Sequence, residues 1–221
     1  EVPTATSFRN IPARLLEVNR QGINSYRSRV GLGKVSFTHI IAYAIVRAIA
    51  DAVPNMNNGF AEGGDGKPLL VRRSSINMGL AVDVDKGDGT RTLMVPVLRD
   101  AQALSFAEFL DAYDALIRKT KANKLAVSDF AGATISLTNP GTIGTVQSVP
   151  RLMPGQGVIV GVGSIDYPAE FQGADVSALA EFGVSKVVTV TSTYDHHIIQ
   201  GAESGMFLKR LHENLIGENG F

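Results

Sequence analysis

The chain has 221 residues and a mass of 23.5 kDa, enough to bury roughly 70% of the surface its unfolded form exposes. Hydrophobic residues make up 44% and charged residues 19%, with 23 Gly and 9 Pro, which excludes a disordered chain and a collagen-like repeat. Lys plus Arg number 21 and Asp plus Glu 21, so no bulk charge draws nucleic acid or an acidic membrane, and the absence of Cys removes thiolate nucleophiles and Cys-ligated metals.

The start, Glu1-Val2-Pro3, shows no signal peptide, so the chain reads as a piece excised from a larger protein, with the cytoplasm as default location. Residues 11–29 place Ile11, Leu15, Leu16, Val18 and Ile23 at roughly helical spacing, with Pro12 suited to a first turn; this predicts a surface helix. After Gly31-Leu32-Gly33, Ser36 is placed to cap a second helix whose Ile40, Ile41, Ala44, Ile45, Ala48 and Ile49 form a core stripe. Arg47 interrupts this apolar run and Pro54 follows it, well short of the ~20 residues that span a bilayer. His39, in its first turn, reads as a surface or partly satisfied side chain and is left out of the site.

Residues 59–68 read as a loop or hairpin tip. The alternation Ile76, Met78, Leu80, Val82, Val84 predicts a half-buried strand, joined through the Asp85–Thr90 turn to a strand over Leu93–Leu98 in a hairpin. Lys86 in that turn reads as a solvated tip and not as a lipoyl acceptor. Ser105 with Glu108 forms a capping box ahead of Phe106, Phe109, Leu110, Tyr113, Leu116 and Ile117, an amphipathic helix. Further strands are expected over 133–138, 157–162 and 186–192, and a closing helix over 202–215. The pattern predicts one α/β (two-layer α+β) domain spanning 1–221, a mixed sheet with helices on one face.

Several familiar site motifs fail. Gly155-Gln156-Gly157 with Gly161 precedes a strand, whereas a dinucleotide fingerprint follows one. There is no Walker lysine and no G-x-S-x-G elbow, since Ser204 sits one position off between Gly201 and Gly205. Adjacent His196 and His197 would point apart on a strand, so no metal site is assigned. Two polar strand ends remain: Thr134–Gly141, ending in Asn139-Pro140-Gly141, and Thr191–Gly201, containing Asp195 and His196. On residue chemistry alone either is ordinary turn chemistry or part of a site.

Those segments, with Thr4-Ala5-Thr6-Ser7, the helix from Ser36 to Ala50, the strand 76–84 leading to Val95-Pro96-Val97, and Tyr194-Asp195-His196, resemble the catalytic domain of the dihydrolipoyl acyltransferases of 2-oxo-acid dehydrogenase complexes, which share a fold with chloramphenicol acetyltransferase. The resemblance covers nearly the whole chain. Ser136–Thr145, Ser148–Met153, Tyr167–Gly173 and Ile199–Gly205 look closest to the acyltransferase-like domain fused to the decarboxylase of actinobacterial 2-oxoglutarate dehydrogenases.

The resemblance implies a chloramphenicol-acetyltransferase-like fold and transfer of a succinyl group between dihydrolipoyl-lysine and coenzyme A in the tricarboxylic acid cycle. In the family signature H-x-x-x-D-G the base falls on His196, and the hydroxyl that supports the oxyanion falls on Thr138. Asp195, Asn139, Gly141 and Gln200 are expected to shape the site. Gln200 stands where the family has Asp, and His197 where it usually has Arg. Coenzyme A is a substrate whose contact residues spacing does not assign, and the lipoyl-lysine is expected from another domain or protein.

The implied partners are two further copies of the chain, in a homotrimer with active sites between subunits, and a thiamine-diphosphate decarboxylase region of the same longer chain; nucleic acid and membrane are not expected. The end, Leu215–Phe221, lacks the apolar tail through which family trimers build hollow cores. The rival reading is a catalytically weak or inactive assembly domain, with Gln200 its mark. A free-standing small-molecule acetyltransferase is a third.

Overall fold

The computed structural model describes residues 3–85 and 87–221; Glu1, Val2 and Lys86, the last expected at a hairpin tip, lie outside the described residues. In chain order the elements are β1 (Thr4–Pro12), α1 (Arg14–Arg29), α2 (Phe37–Asp51), β2 (Gly59–Glu62), β3 (Pro68–Val71), β4 (Met78–Leu80), β5 (Val82–Asp85), β6 (Arg91–Met94), β7 (Val97–Leu98), α3 (Phe106–Lys121), β8 (Ile135–Thr138), β9 (Val158–Asp166), α4 (Val176–Glu181), β10 (Val187–Asp195) and α5 (Gly201–Leu215). Six strands form one mixed sheet in the order β1-β10-β9-β8-β4-β7, while β2-β3 and β5-β6 are separate two-stranded ribbons. The β9-β8 and β8-β4 pairs are parallel; β1-β10, β10-β9 and β4-β7 are antiparallel.

Strand alternation divides the sheet into two unlike faces. Met78, Leu80, Ile135, Leu137, Val158, Val160, Val162, Val188, Val190 and Tyr194 belong to the core. Against them pack the stripe of α2 and Phe207, Leu208 and Leu211 of α5. Each large aliphatic side chain removed from water there contributes about 1.5–3 kcal/mol. The alternate positions are mostly small or polar, Gly79, Ser136, Thr138, Gly161, Gly163, Thr189, Thr191 and Thr193, with Ile159 of β9 an apolar exception. Over that second face runs the segment after β8, which lies on β9 so closely that a Cβ on Gly163 would overlap the Val146 carbonyl oxygen and one on Gly141 the Gly163 backbone.

Caps set several boundaries. Ser36 Oγ accepts from His39 N at 3.3 Å, and Ser105 Oγ from Glu108 N at 3.4 Å while Glu108 Oε2 accepts from Ser105 N at 2.8 Å. Thus the helices expected after Ser36 and Ser105 form, as do the strands over 133–138, 157–162 and 186–192 and the closing helix, with shifted ends. The loop or hairpin tip expected over 59–68 is the tip of the β2-β3 hairpin, with residues 63–67 as the turn and 59–62 and 68 paired as strand.

Three expectations need correction. Ile11 and Pro12 are strand, not helix: β1 pairs with β10 from Thr4↔Asp195 to Pro12↔Val187, and Pro12 is tolerated because β1 is an edge strand. The strand over 76–84 is broken at Ala81, whose N–H turns to the Leu137 carbonyl, so β4 joins the main sheet and β5 forms a ribbon with β6. The antiparallel hairpin is retained in both halves.

His39, expected near the surface, is only 6% exposed. Its Nδ1 accepts from Ser36 N at 3.1 Å and its Nε2 lies 3.2 Å from Asp114 Oδ1, so it takes the N3 position of a capping box. Among the described residues no helix is long and apolar enough to cross a membrane.

Replacing Gly163 with Ala forces backbone apart, because its Cβ site meets the Val146 and Thr189 carbonyls. We expect destabilisation of about 3 kcal/mol, a fall in Tm of roughly 6–12 °C; an unchanged Tm would refute the close approach. A second outcome concerns acid. Burial lowers the pKa of His39 from its ordinary 6.5, with Asp114 opposing. The unfolded chain therefore takes up a proton that the folded chain resists, and stability present above about pH 6.5 is lost as pH falls below it. Denaturant titrations from pH 7.5 to 5 should show that decline, and His39→Gln should lessen it, leaving the part due to His212, whose pKa burial also lowers.

Candidate active site

The two polar strand ends expected to carry the site are both formed. Thr138 ends β8, half-buried on the face opposite the core residue Leu137. After it Pro140–Ile143 makes a single 3-10 turn. Asn139 Nδ2 donates to Thr38 Oγ1 at 2.7 Å, tying this turn to the first turn of α2, and its carbonyl accepts from Thr142 Oγ1 at 3.1 Å. Gly141 rests directly on β9, where no side chain has room. Its role is thus the close approach.

Beside this turn is a cavity of about 300 Å³ whose walls include Arg20, Thr38, Ile41, Asn139, Thr142 and Ser164. Arg20 is held by its Nε donating to the Val35 carbonyl at 3.1 Å and by its guanidinium lying 4.3 Å from the Phe37 ring centroid. A larger cavity of about 410 Å³ lies between α1, α2, α3 and α5 and contains none of the expected site residues.

At the other strand end Asp195 closes β10, 1% exposed. Its Oδ1 accepts from His197 N at 2.9 Å and is 2.8 Å from His197 Nδ1. The His197 ring stacks on Phe60 of β2, centroids 4.2 Å apart at 11°. His196 is on the exposed side of the turn that follows, with its N–H donating to the Pro3 carbonyl at 2.8 Å and its ring 5.5 Å from that of Tyr194. The expectation that the two histidines point apart holds for a continuing strand; both instead lie in the turn after β10, with their rings on different partners, Tyr194 for His196 and Phe60 for His197. Among the described residues no three His, Asp or Glu side chains group to hold a metal ion. Ile199 anchors the turn in the core, and Gln200, exposed, precedes α5 as its N-cap.

One chain does not bring the two ends together. Thr138 is level with Gly161, and Gly161 with Thr191, five residues before His196. At ~3.3 Å per residue and ~4.8 Å between strands, this is roughly 16 Å along the sheet and about 10 Å across it. Asp195, His197, Gln200 and His196 form one cluster; Thr138, Asn139 and Gly141 form another.

Residue reasoning missed Asn55, Phe60 and Glu203, which hold the His196 turn. Asn55 Nδ2 donates to the Ile198 carbonyl at 3.1 Å and to Glu203 Oε1 at 2.6 Å, and Glu203 Oε2 accepts from Gln200 N at 2.7 Å. The spacing of Gln200 and Glu203 is that of a capping box, a signal the sequence offered.

Comparison with known proteins agrees with this architecture. The family model for the 2-oxoacid dehydrogenases acyltransferase (catalytic domain) matches residues 1–218. A multifunctional 2-oxoglutarate metabolism enzyme of Mycobacterium sp. (strain JLS) is 53% identical over all 221 residues, so the chain spans only 17% of that relative's length. A dihydrolipoamide acetyltransferase of Azotobacter vinelandii superposes with a TM-score of 0.79 at 23% identity, over 97% of this chain and 82% of that one. Chloramphenicol acetyltransferase superposes at 0.56 with 15% identity, over 97% and 89%. The last two likenesses show the fold, which is the chloramphenicol-acetyltransferase-like α/β arrangement expected. With a family model matched from residue 1 to residue 218, the chain belongs to the 2-oxoacid dehydrogenase acyltransferases, as their catalytic domain.

Proposed function

We propose that this acyltransferase domain moves a succinyl group between dihydrolipoyl-lysine and coenzyme A, in sites built between copies of the chain. The observation that carries the reading is the separation just described: a hydroxyl and an imidazole, each on a turn fixed by its own hydrogen bonds, lie too far apart in one chain to share a reacting carbonyl. A closed ring of copies, a trimer in this reading, brings Thr138 of one to His196 of the next.

In such a site the neutral imidazole of His196 takes the proton of the coenzyme A thiol, and the sulfur attacks the succinyl thioester carbonyl on dihydrolipoyl-lysine. The carbonyl oxygen becomes an oxyanion, which the Thr138 hydroxyl meets with a hydrogen bond. Collapse breaks the bond to the lipoyl sulfur, and the imidazolium returns the proton to that thiol. Succinyl-coenzyme A and dihydrolipoyl-lysine leave, and His196 is neutral again. Asp195, Asn139 and Gly141 keep the two turns in place without touching the reacting atoms.

The succinyl assignment is supported by the 2-oxoglutarate metabolism of the Mycobacterium relative. In this reading a thiamine-diphosphate decarboxylase elsewhere in a longer cytoplasmic chain supplies the acyl group, and another domain or protein carries the lipoyl-lysine. The Azotobacter enzyme supports a neutral amide at Gln200, since its catalytic mechanism was investigated through a serine, a histidine and an asparagine four residues after that histidine, the interval from His196 to Gln200 here. The exposed, uncharged Gln200 favours the second reading, an assembly domain with little activity.

Succinyl transfer from succinyl-coenzyme A to dihydrolipoamide should fall about 10²–10⁴-fold in His196→Ala and about 10²–10³-fold in Thr138→Ala, with the oligomer intact. Full turnover by the His196→Ala variant overturns the base, and no turnover by the folded wild-type oligomer makes the assembly reading the better one. Co-assembly separates sites between chains from sites within one. Refolding the two inactive variants together in equal amounts should restore about one quarter of wild-type sites, because each needs an intact His196 and an intact neighbouring Thr138; no recovery in mixed oligomers would place the site within a single chain.

A further inference from the structure

We infer that Asn55 and Glu203 are positioning residues for His196; the inference rests on the proposed role of that histidine. The turn from His196 to Gln200 joins β10 to α5, and a base on such a turn is effective only if its ring is held where the thiol arrives. Misplacement by about 1 Å costs on the order of 10² in rate.

Groups of the turn itself fix its start: the N–H groups of Ile198 and Ile199 donate to the Asp195 carbonyl at 3.3 and 3.0 Å, and Asp195 Oδ1 accepts from His197 N at 2.9 Å. Its far end is held by side chains from elsewhere. Asn58 Nδ2 donates to Asn55 Oδ1 at 2.6 Å, which settles the orientation of the Asn55 amide and directs its nitrogen at the Ile198 carbonyl, 3.1 Å, and Glu203 Oε1, 2.6 Å. Glu203 Oε2 then accepts from Gln200 N at 2.7 Å. The carboxylate thus receives one N–H on each oxygen and couples the turn to the segment 54–58. That segment is itself pressed against the sheet, since a Cβ on Gly157 would overlap the carbonyls of Met56 and Asn58, and the Gly157 carbonyl receives Asp195 N at 3.0 Å. The loop runs from Asp195 through Gly157, the 54–58 segment, Asn55 and Glu203 back to Gln200, and His196 is inside it.

Donor and acceptor arithmetic gives the test. Only a carboxylate accepts on both oxygens; Glu203→Gln keeps the shape but sets an NH2 group against one of the two N–H donors. Asn55→Asp turns the donor into a second acceptor facing Glu203. In the double variant Asn55→Asp with Glu203→Gln, the new amide donates to the new carboxylate and still accepts from Gln200 N, so the link from position 55 to Gln200 is re-formed with its polarity reversed, while the Ile198 carbonyl loses the donor it had in Asn55.

Steady-state succinyl transfer to dihydrolipoamide by the whole chain should show kcat lowered about 10- to 100-fold in each single variant and, in the double, recovered by about threefold or more over Asn55→Asp, with KM for both substrates changed less than about twofold. Tm should fall by no more than roughly 4 °C in any of the three. Single variants that keep wild-type kcat, or that lose activity through KM or in proportion to unfolded protein, overturn the inference. So does a double variant no better than Asn55→Asp. His196→Ala is run alongside: its inactivity together with a fully active Glu203→Gln overturns the positioning role alone, whereas its full activity overturns the reading of the base and the positioning role with it.

Discussion

The structure depends on an asymmetry of one sheet. Its helix-facing side is a row of Val, Leu, Ile and Met that drives folding by burial. Its other side is reduced to Gly, Ser and Thr around Thr138, beyond Ile159, so that the chain after β8 can lie directly on β9 over Gly161 and Gly163. A side chain at Gly163 would lift that segment away, and the turn of Thr138, Asn139 and Gly141 would lose the surface it rests on. Core packing and the placement of the Thr138 hydroxyl are therefore consequences of a single alternation along β8 and β9.

What was legible in the sequence was whatever is decided locally. Ser105 and Glu108 are three apart and form their cap whatever else the chain does, and the α2 stripe is buried because a 15-residue helix with that spacing has one apolar side. β1 was missed for the opposite reason. Its segment Thr4–Pro12 carries little apolar alternation and becomes a strand because Val187–Asp195, far along the chain, offers a ladder for nine residues. Pro12, a permissible first residue of a helix, is equally permissible at the end of an edge strand, and only the partner decides. The break at Ala81 has the same origin: an unbroken alternation from Ile76 to Val84 conceals the exchange of hydrogen-bond partners from the main sheet to the ribbon.

The site divides along the same line. Thr138, Asn139, Gly141, Asp195, His196 and Gln200 are proposed through a family resemblance, because strand-end Thr and Asn are too common to stand out on chemistry alone. Their supports stayed hidden: Asn55 and Glu203 are 148 residues apart, and Phe60 reaches His197 from a different ribbon. His39 escaped because capping boxes are expected to end in Glu or Gln, whereas here a neutral imidazole accepts the N-cap N–H.

The sheet also constrains how this fold can do acyl transfer. In parallel β8 and β9 the chain leaves Thr138 partway up the sheet, while antiparallel β10 carries Asp195 and His196 off its opposite end. No rearrangement short of re-registering three strands brings the two groups together within one chain, and re-registering by one residue would turn Val188 and Val190 out of the core. Under the proposed chemistry, the same alternation that buries the core commits the domain to working as an assembly. Each copy must then present its half-site already ordered, because the partner can supply the missing group but cannot repair a slack turn. The Phe60 ring stacked on His197 from β2 and the hydrogen bonds reaching the Asp195–Gln200 turn from the 54–58 segment and α5 are what a half-site of that kind requires.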